Sequence, residues 1–494
     1  MKDNKAERKV TNYRAIFRIL GIIILIIGAA ELFPWVYAEV AGDGEVAFAF
    51  RICAPATLAL GAAMFLLIKT GRSRFGAREG YLVVALCWIV ASIVGAFPYL
   101  LSGFYDNFTD SFFESTSGFT TTGCTVAHLG MTNRSLLLWK AISHWLGGMG
   151  ILVFVISLLP ALGINGQFIA RAEMPGPVLQ KTTVRMSDSA KALYLTYLTF
   201  TVVEFLLLMI SGKMSVYDGV ITTLGSISTG GLLVHPQGIA YYGSVYVELV
   251  ISFFCLLAAV NFVLYHYILT GKFSYFIKDL ELRAYAIIIA GATIICTGEL
   301  IIARGQSLGP ALRDSFFQVV SFATTAGYTR TPYMTWPTVC QLLLLMIMFI
   351  GGCSASTAGS IKVIRILVML KMIARGCVRR IHPRSVVAVK LGNSAISAPV
   401  VSGITVFLFT YMGIFLLSGL VLSFQGTDME TSFTSTLCML SNTGASFGYG
   451  ASTGNFSFYH PALKLYLSAL MIVGRLELFT IIVLFTRNFW SRNH

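Results

Sequence analysis

Four short segments of the 494-residue sequence share one order of residue types: an acidic residue, about three amphipathic turns, then small and hydroxyl-bearing residues that end at glycine. The first starts at Asp110 and closes on Ser117-Gly118-Phe119-Thr120-Thr121-Thr122-Gly123. The second starts at Asp218 and closes on Ser226-Ile227-Ser228-Thr229-Gly230-Gly231, and the third starts at Asp314 and closes on Thr325-Ala326-Gly327-Tyr328. The fourth holds Asp428 and Glu430 and closes on Asn442-Thr443-Gly444-Ala445-Ser446. Taking Gly230 in the second and Glu430 in the fourth, the acid-to-glycine interval is 13, 12, 13 and 14 residues. Such ends offer backbone carbonyls, the ligands that suit a bare monovalent cation. A desolvated ion costs tens of kcal/mol in an apolar medium without replacement ligands, and a ring of carbonyls replaces its water shell. Glycine fits where the backbone must turn a carbonyl inward through conformations other residues avoid. One glycine-rich loop is ordinarily a turn; four aligned copies are a repeat.

A helix of about 12 residues reaches about 18 Å, so it enters a bilayer without crossing it. Irregular backbone at that depth must be buried in protein or line a water-filled cavity. Helix C-termini converging on one axis would add about half a negative charge each, while acids favour the opposite ends, where Asp110, Asp218 and Asp314 fall. The flanking sequence provides such a setting. Hydrophobic residues make up 56% of the chain and charged residues 12%, against about 25% charged in a soluble protein. Ten apolar stretches are near residues 16–33, 46–68, 80–101, 136–160, 190–212, 243–269, 284–303, 337–372, 396–423 and 463–486. The first has no small-residue cleavage pattern and is read as a retained span. The expected fold is an all-α integral membrane protein with ten transmembrane helices and four re-entrant pore helices. Residues 1–79 form an N-terminal helix pair. Four helix–pore segment–helix repeats follow at 80–160, 190–270, 284–375 and 396–494, arranged pseudo-symmetrically around one pore.

The net charge of +14 is a topology signal. Lysine and arginine collect in alternate loops, at Lys2 to Arg14, Lys69 to Arg78, Arg171 to Lys191, Lys272 to Arg283 and Lys371 to Lys390. The positive-inside rule then places both termini in the cytoplasm, and nucleic-acid binding is excluded. The nine cysteines show no metal-ligand spacing and mostly lie in apolar runs, where cysteine acts as a small hydrophobe. No disulfide framework is expected. A polytopic enzyme would need a constellation such as His-Glu-x-x-His or paired intramembrane carboxylates, and the sequence has none. An ion-coupled secondary transporter with alternating access is the alternative; its repeats ordinarily form two inverted halves, whereas these four share one topology.

Two further features stand out. Residues 351–360 are nearly all small and interrupt an apolar stretch too long for one straight helix. They form either a close helix-packing surface or a break in the helix. Arg475 lies inside an apolar span, at a cost of about 2.5–3.5 kcal/mol on insertion scales; a carboxylate such as Glu477 or Glu248 is one candidate partner. Lys362 and Arg365 either hold the small-residue segment or mark the inner boundary. His144, Asn261 and His266 carry no assigned role, and Gly147-Gly148-Met149-Gly150 is expected to be a packing face. Arg379, Arg380 and Arg384 are placed to meet anionic lipid or a cytoplasmic partner.

Taken together, the four glycine-ended segments, Gly147-Gly148-Met149-Gly150, Gly351-Gly352-Cys353-Ser354-Ala355-Ser356-Thr357-Ala358-Gly359-Ser360 and Gly474-Arg475-Leu476-Glu477-Leu478-Phe479-Thr480 resemble the superfamily of bacterial TrkH/TrkG and KtrB potassium transporters. The resemblance runs from about residue 80 to the end, and the two extra N-terminal spans resemble the TrkH branch. It implies channel-like potassium uptake across the bacterial inner membrane, with K+ as the permeant ligand and no cofactor in this chain. The selectivity filter would comprise Thr121, Thr122, Gly123, Ser228, Thr229, Gly230, Thr325, Ala326, Gly327, Asn442, Thr443 and Gly444. The gate would be a loop under the filter with Gly351, Gly352, Ser354, Ser356, Thr357 and Gly359, and with Arg475 as an electrostatic barrier. Partners implied are a second copy in a homodimer and a ring of nucleotide-binding, TrkA-like regulatory subunits. Glycine at all four filter positions favours potassium. Asn442-Thr443-Gly444-Ala445-Ser446, Cys124 after the first glycine and Leu232 after the second depart from the common pattern.

Overall fold

The computed structural model describes residues 12–68, 76–127, 133–150, 186–385, 387–392, 394–451 and 455–490. Helices dominate; the strands among the described residues are a two-residue pair, β1 (Lys390–Leu391) and β2 (Ser394–Ala395). The N-terminal pair is α1 (Tyr13–Ala41) and α2 (Gly44–Leu67). Asn12 caps α1 by accepting from the Ala15 amide, and Gly42 ends it at φ 76°, so the chain reverses at once into α2. Pro34 and Pro55 lie inside these helices, as bilayer helices tolerate.

Each repeat then opens with a long apolar helix: α3 (Ala77–Leu101), α6 (Met186–Ile210), α11 (Leu280–Arg304) and α15 (Ala398–Ser423). A short helix follows in each: α4 (Phe108–Phe119), α7 (Val216–Ile227), α12 (Leu308–Ala323) and α16 (Met429–Ser441). Three begin on a side-chain cap, where Asn107, Ser215 and Asp428 accept from the amides of Asp110, Asp218 and Thr431 at 2.9, 3.1 and 3.1 Å. An acid occupies the first turn of α4, α7 and α16. In α12 it does not: that helix starts earlier and is 16 residues long, so Asp314 sits well inside it.

The returning helices are α5 (Arg134–Gly148), α8 (Val245–Ala258), α13 (Thr338–Ile350) and α17 (Pro461–Arg475), each 13 to 15 residues and too short to cross alone. Beyond α8 the chain turns through 93° into α9 (Phe262–Leu269), which leads to α10 (Phe273–Lys278). Beyond α17 it turns through 108° into α18 (Phe479–Ile482), and α19 (Arg487–Trp490) follows. Beyond α13 a loop at 351–362 separates it from α14 (Val363–Ile381). The apolar stretches 243–269, 337–372 and 463–486 are therefore broken rather than straight, and 136–160 runs beyond the described residues. Among the described residues six helices are long and apolar enough to cross a membrane, or eight if each bent pair counts as one. Hydropathy averages over the breaks in 243–269 and 463–486, so the sequence reads each of those stretches as one span, while the small residues at 351–360 mark the break in 337–372.

Candidate functional site

The ends of α4, α7, α12 and α16 meet. Each short helix stops at a residue of positive φ, Thr121 (56°), Thr229 (55°), Thr325 (57°) and Asn442 (51°), a conformation uncommon for residues other than glycine. The next amide in each folds back on the helix: Thr122 N to Ser117 O, Gly230 N to Gly225 O, Ala326 N to Ser321 O and Thr443 N to Cys438 O, at 2.8–3.0 Å. This hydrogen-bond register fixes the correspondence of the repeats. Thr122, Gly230, Ala326 and Thr443 are equivalent, and so are Gly123, Gly231, Gly327 and Gly444. In the second repeat the matching glycine is thus Gly231, one residue after Gly230. With Gly231 the acid-to-glycine interval becomes 13, as in repeats one and three.

These glycines close a ring. A Cβ on Gly123 would collide with the Gly230 carbonyl and lie 3.5 Å from Gly444 Cα; one on Gly231 would strike the Ala326 carbonyl. A Cβ on Gly327 would sit 2.7 Å from Gly444 N, and one on Gly444 would be 2.9 Å from Thr122 O. Segments far apart in sequence therefore pack backbone to backbone, with Gly123, Gly231 and Gly327 at φ 81°, 63° and 74°. Side-chain bulk at any of them would force the ring open.

Behind the ring the support is polar. Ser117 and Ser321 hydroxyls donate to the Cys124 and Tyr328 carbonyls at 2.6 and 2.7 Å. Tyr328 and Tyr333 hydroxyls donate to Thr222 O and Ser446 O at 2.9 and 2.6 Å, tying the third repeat to the second and fourth. Asn442 bridges Thr122 Oγ1 and Met471 O at 3.0 and 2.9 Å. Ser228, by contrast, bonds back within α7 to Leu224 O and Gly225 O. Residues that the sequence reading did not reach do much of this work. Lys140 is ion-paired with Glu114, both buried, and also donates to Cys124 O at 2.7 Å. Glu114 accepts from Val126 N at 2.7 Å. Their 26-residue separation, on helices of different type, gives no local signal. His144 is buried beside Gly230, whose Cβ would meet its ring.

Below the ring lies a second layer, made where the returning helices break. The loop 351–362 reaches under the third and fourth ring segments: Gly359 N donates to Thr325 Oγ1 at 2.8 Å, and a Cβ on Gly359 would collide with Ser441 O. Cys353 N and Thr357 N donate to Ala259 O and Ala258 O at the end of α8, at 2.9 and 3.2 Å. Ser360 Oγ returns to Phe349 O at 2.7 Å, and Ser356 Oγ to Cys353 O at 2.6 Å. Glu281 on α11 accepts from Ser354 N and Ser354 Oγ, both at 2.7 Å, and from Ile364 N at 3.1 Å, clamping both ends of the loop. Gly351 and Gly352 lie against Ser360 and Ala358.

Arg475, the last residue of α17, spans this layer. It donates to Thr357 O at 2.8 Å, to Gly147 O and Gly148 O at 2.6 and 2.7 Å, and to Thr121 Oγ1 at 3.3 Å. Glu477 instead pairs with Arg365, and Glu248 with Arg313 and Arg330. Gly147 and Gly148 pack as expected, against Phe119 and Ser228, and they also supply these acceptor carbonyls. Lys362 donates to Ala358 O within the loop. Asn261 caps α9 through Val263 N at 2.9 Å.

Comparison with known proteins decides the family. The family model described as TrkH, cation transport protein, matches residues 47–492. The chain belongs to the TrkH family of cation transport proteins. Among its relatives, the Trk system potassium uptake protein TrkH of Escherichia coli K12 is 36% identical over 484 residues, 97% of this chain and 99% of that protein. TrkG of the same organism, also a Trk system potassium uptake protein, is 30% identical over the same shares. The crystal structure of the potassium transporter TrkH from Vibrio parahaemolyticus superposes with a TM-score of 0.86 at 32% identity, covering 97% of this chain and 100% of that one. The likeness thus includes the N-terminal pair, beyond the residue-80 boundary drawn from motifs. TrkH-family membership makes this a multi-pass membrane transporter and not an enzyme.

Proposed function

We propose that the chain takes up potassium through a pore on the axis of the ring, with the carbonyls of the four ring segments as the selectivity filter. What carries the reading is the closure of that ring by four equivalent segments from four repeats. The filter residues are Thr121, Thr122, Gly123, Thr229, Gly230, Gly231, Thr325, Ala326, Gly327, Asn442, Thr443 and Gly444. Four helix C-termini pointing at one axis add negative potential there, and potassium sheds water more readily than the smaller sodium ion. Its likeness to potassium uptake proteins supports the choice of ion.

The loop with Gly351, Gly352, Ser354, Ser356, Thr357 and Gly359 is the gate, and Arg475 is its lock. The guanidinium joins three of the four repeats beneath the filter, and its charge opposes a cation at the same level. Opening must move the loop off Arg475 and Thr325. In this reading the chain works in the bacterial inner membrane with both termini cytoplasmic, as a homodimer on a ring of TrkA-like subunits. Labelled potassium uptake into liposomes of purified protein tests it, with and without an imposed proton gradient. Uptake above protein-free liposomes is expected; its absence in folded protein would refute the potassium reading.

A further inference from the structure

Immediately behind the ring, Cys124 Sγ and Cys438 Sγ lie 3.2 Å apart, although 314 residues separate them in sequence. Cys124 directly follows Gly123, and Cys438 is on α16, where its thiol donates to Thr443 O at 2.6 Å. Both side chains are buried, at 2% and 0% exposure, yet the neighbours Gly123 and Thr125 are part-exposed, so a water-sized molecule comes close to the pair. We infer that Cys124 and Cys438 are an oxidation site, forming a disulfide between the first and fourth repeats that shuts down conduction. The inference rests on the ring being the ion path.

The co-reactant class is a peroxide. One cysteine sulfur attacks a peroxide oxygen, the O–O bond breaks and water leaves, giving a sulfenic acid. The second sulfur attacks that sulfur; the S–O bond breaks, the S–S bond forms, and the thiol proton leaves with the oxygen as a second water. Two thiols are oxidised and one peroxide is reduced to two waters. A disulfide requires sulfurs about 2.05 Å apart, so Cys124 and α16 must draw together. Closure also removes the S–H donor from Thr443 O, a carbonyl one residue from Gly444. Because the Ser117 hydroxyl and Lys140 hold the Cys124 carbonyl, the strain passes into the ring segments.

The test uses the full chain in liposomes with Cys377, the exposed cysteine among those described, changed to serine. Hydrogen peroxide is added, then a thiol reductant. Potassium flux is normalised to the reduced state of each variant, and peptides are mapped by mass spectrometry. The expected result is a peptide joining Cys124 to Cys438, loss of most of the flux, and recovery on reduction, with Cys124→Ala and Cys438→Ala both resistant. Oxidised protein without the joined peptide overturns the site. A joined peptide with unchanged flux overturns its effect on conduction, provided Gly123→Ser in the same liposomes still changes ion preference. If that substitution is also silent, the filter reading itself has failed.

Discussion

At the scale of single residues, the interior of this protein depends on a few charges held by backbone. The Lys140–Glu114 pair joins α4 to α5 and reaches the first ring segment through the Cys124 carbonyl. Removing one partner of a buried pair leaves a charge uncompensated and costs about 3–5 kcal/mol, whereas replacing both costs much less. Lys140→Met should therefore lower the thermal unfolding temperature of detergent-purified protein sharply, and Lys140→Met with Glu114→Leu should recover most of the loss. Equal unfolding temperatures for wild type and Lys140→Met would show that the pair does not support the fold. Arg475 is another such residue. It ties the loop carbonyl of Thr357 to Gly147, Gly148 and the Thr121 hydroxyl, so Arg475→Ala should raise potassium flux and weaken dependence on a cytoplasmic partner. The sequence marked Arg475 plainly, because an arginine inside an apolar run is expensive. Its acceptors were not legible, since backbone carbonyls look alike in a sequence.

At the scale of elements, the decisive feature is where helices stop. The small residues at 351–360 announced one break. The breaks at 259–261 and 476–478 have no such composition; at the first, Phe262 N donates to Ala355 O at 3.1 Å and Cys353 N to Ala259 O at 2.9 Å, contacts made across the fold. At 477 and 478 the turn is made by Glu477 and Leu478 at φ 51° and 60°, which no propensity favours. The register of the second repeat was readable in principle, since the common 13-residue interval selects Gly231 over its neighbour. The loop 351–362 is held by polar contacts, and Glu281 accepts at both ends of it. Glu281→Ala should loosen the loop, raising potassium flux and hydrogen exchange over 353–364 together. Deleting part of 353–359 should raise flux further. Flux at or below the parent level in both variants, in inserted protein, would leave the loop as a packing element only.

At the scale of the whole molecule, four repeats with the same order of long, short and returning helix enclose one axis. That plan was legible from the repeated acid-to-glycine segments, and the charge pattern added an orientation. Cysteines engineered in 424–461 should react with an impermeant reagent added outside whole cells, and those in 376–390 should not. The reverse pattern would invert the topology. The central claim is that the four ring glycines together choose the ion. It is tested most directly by the potassium-to-sodium permeability ratio of purified protein in liposomes, for serine placed in turn at Gly123, Gly231, Gly327 and Gly444. The account predicts that each substitution lowers the ratio, because a Cβ at any of the four pushes a neighbouring segment off the axis. A ratio unchanged from wild type at all four positions, in protein that still conducts, would contradict it.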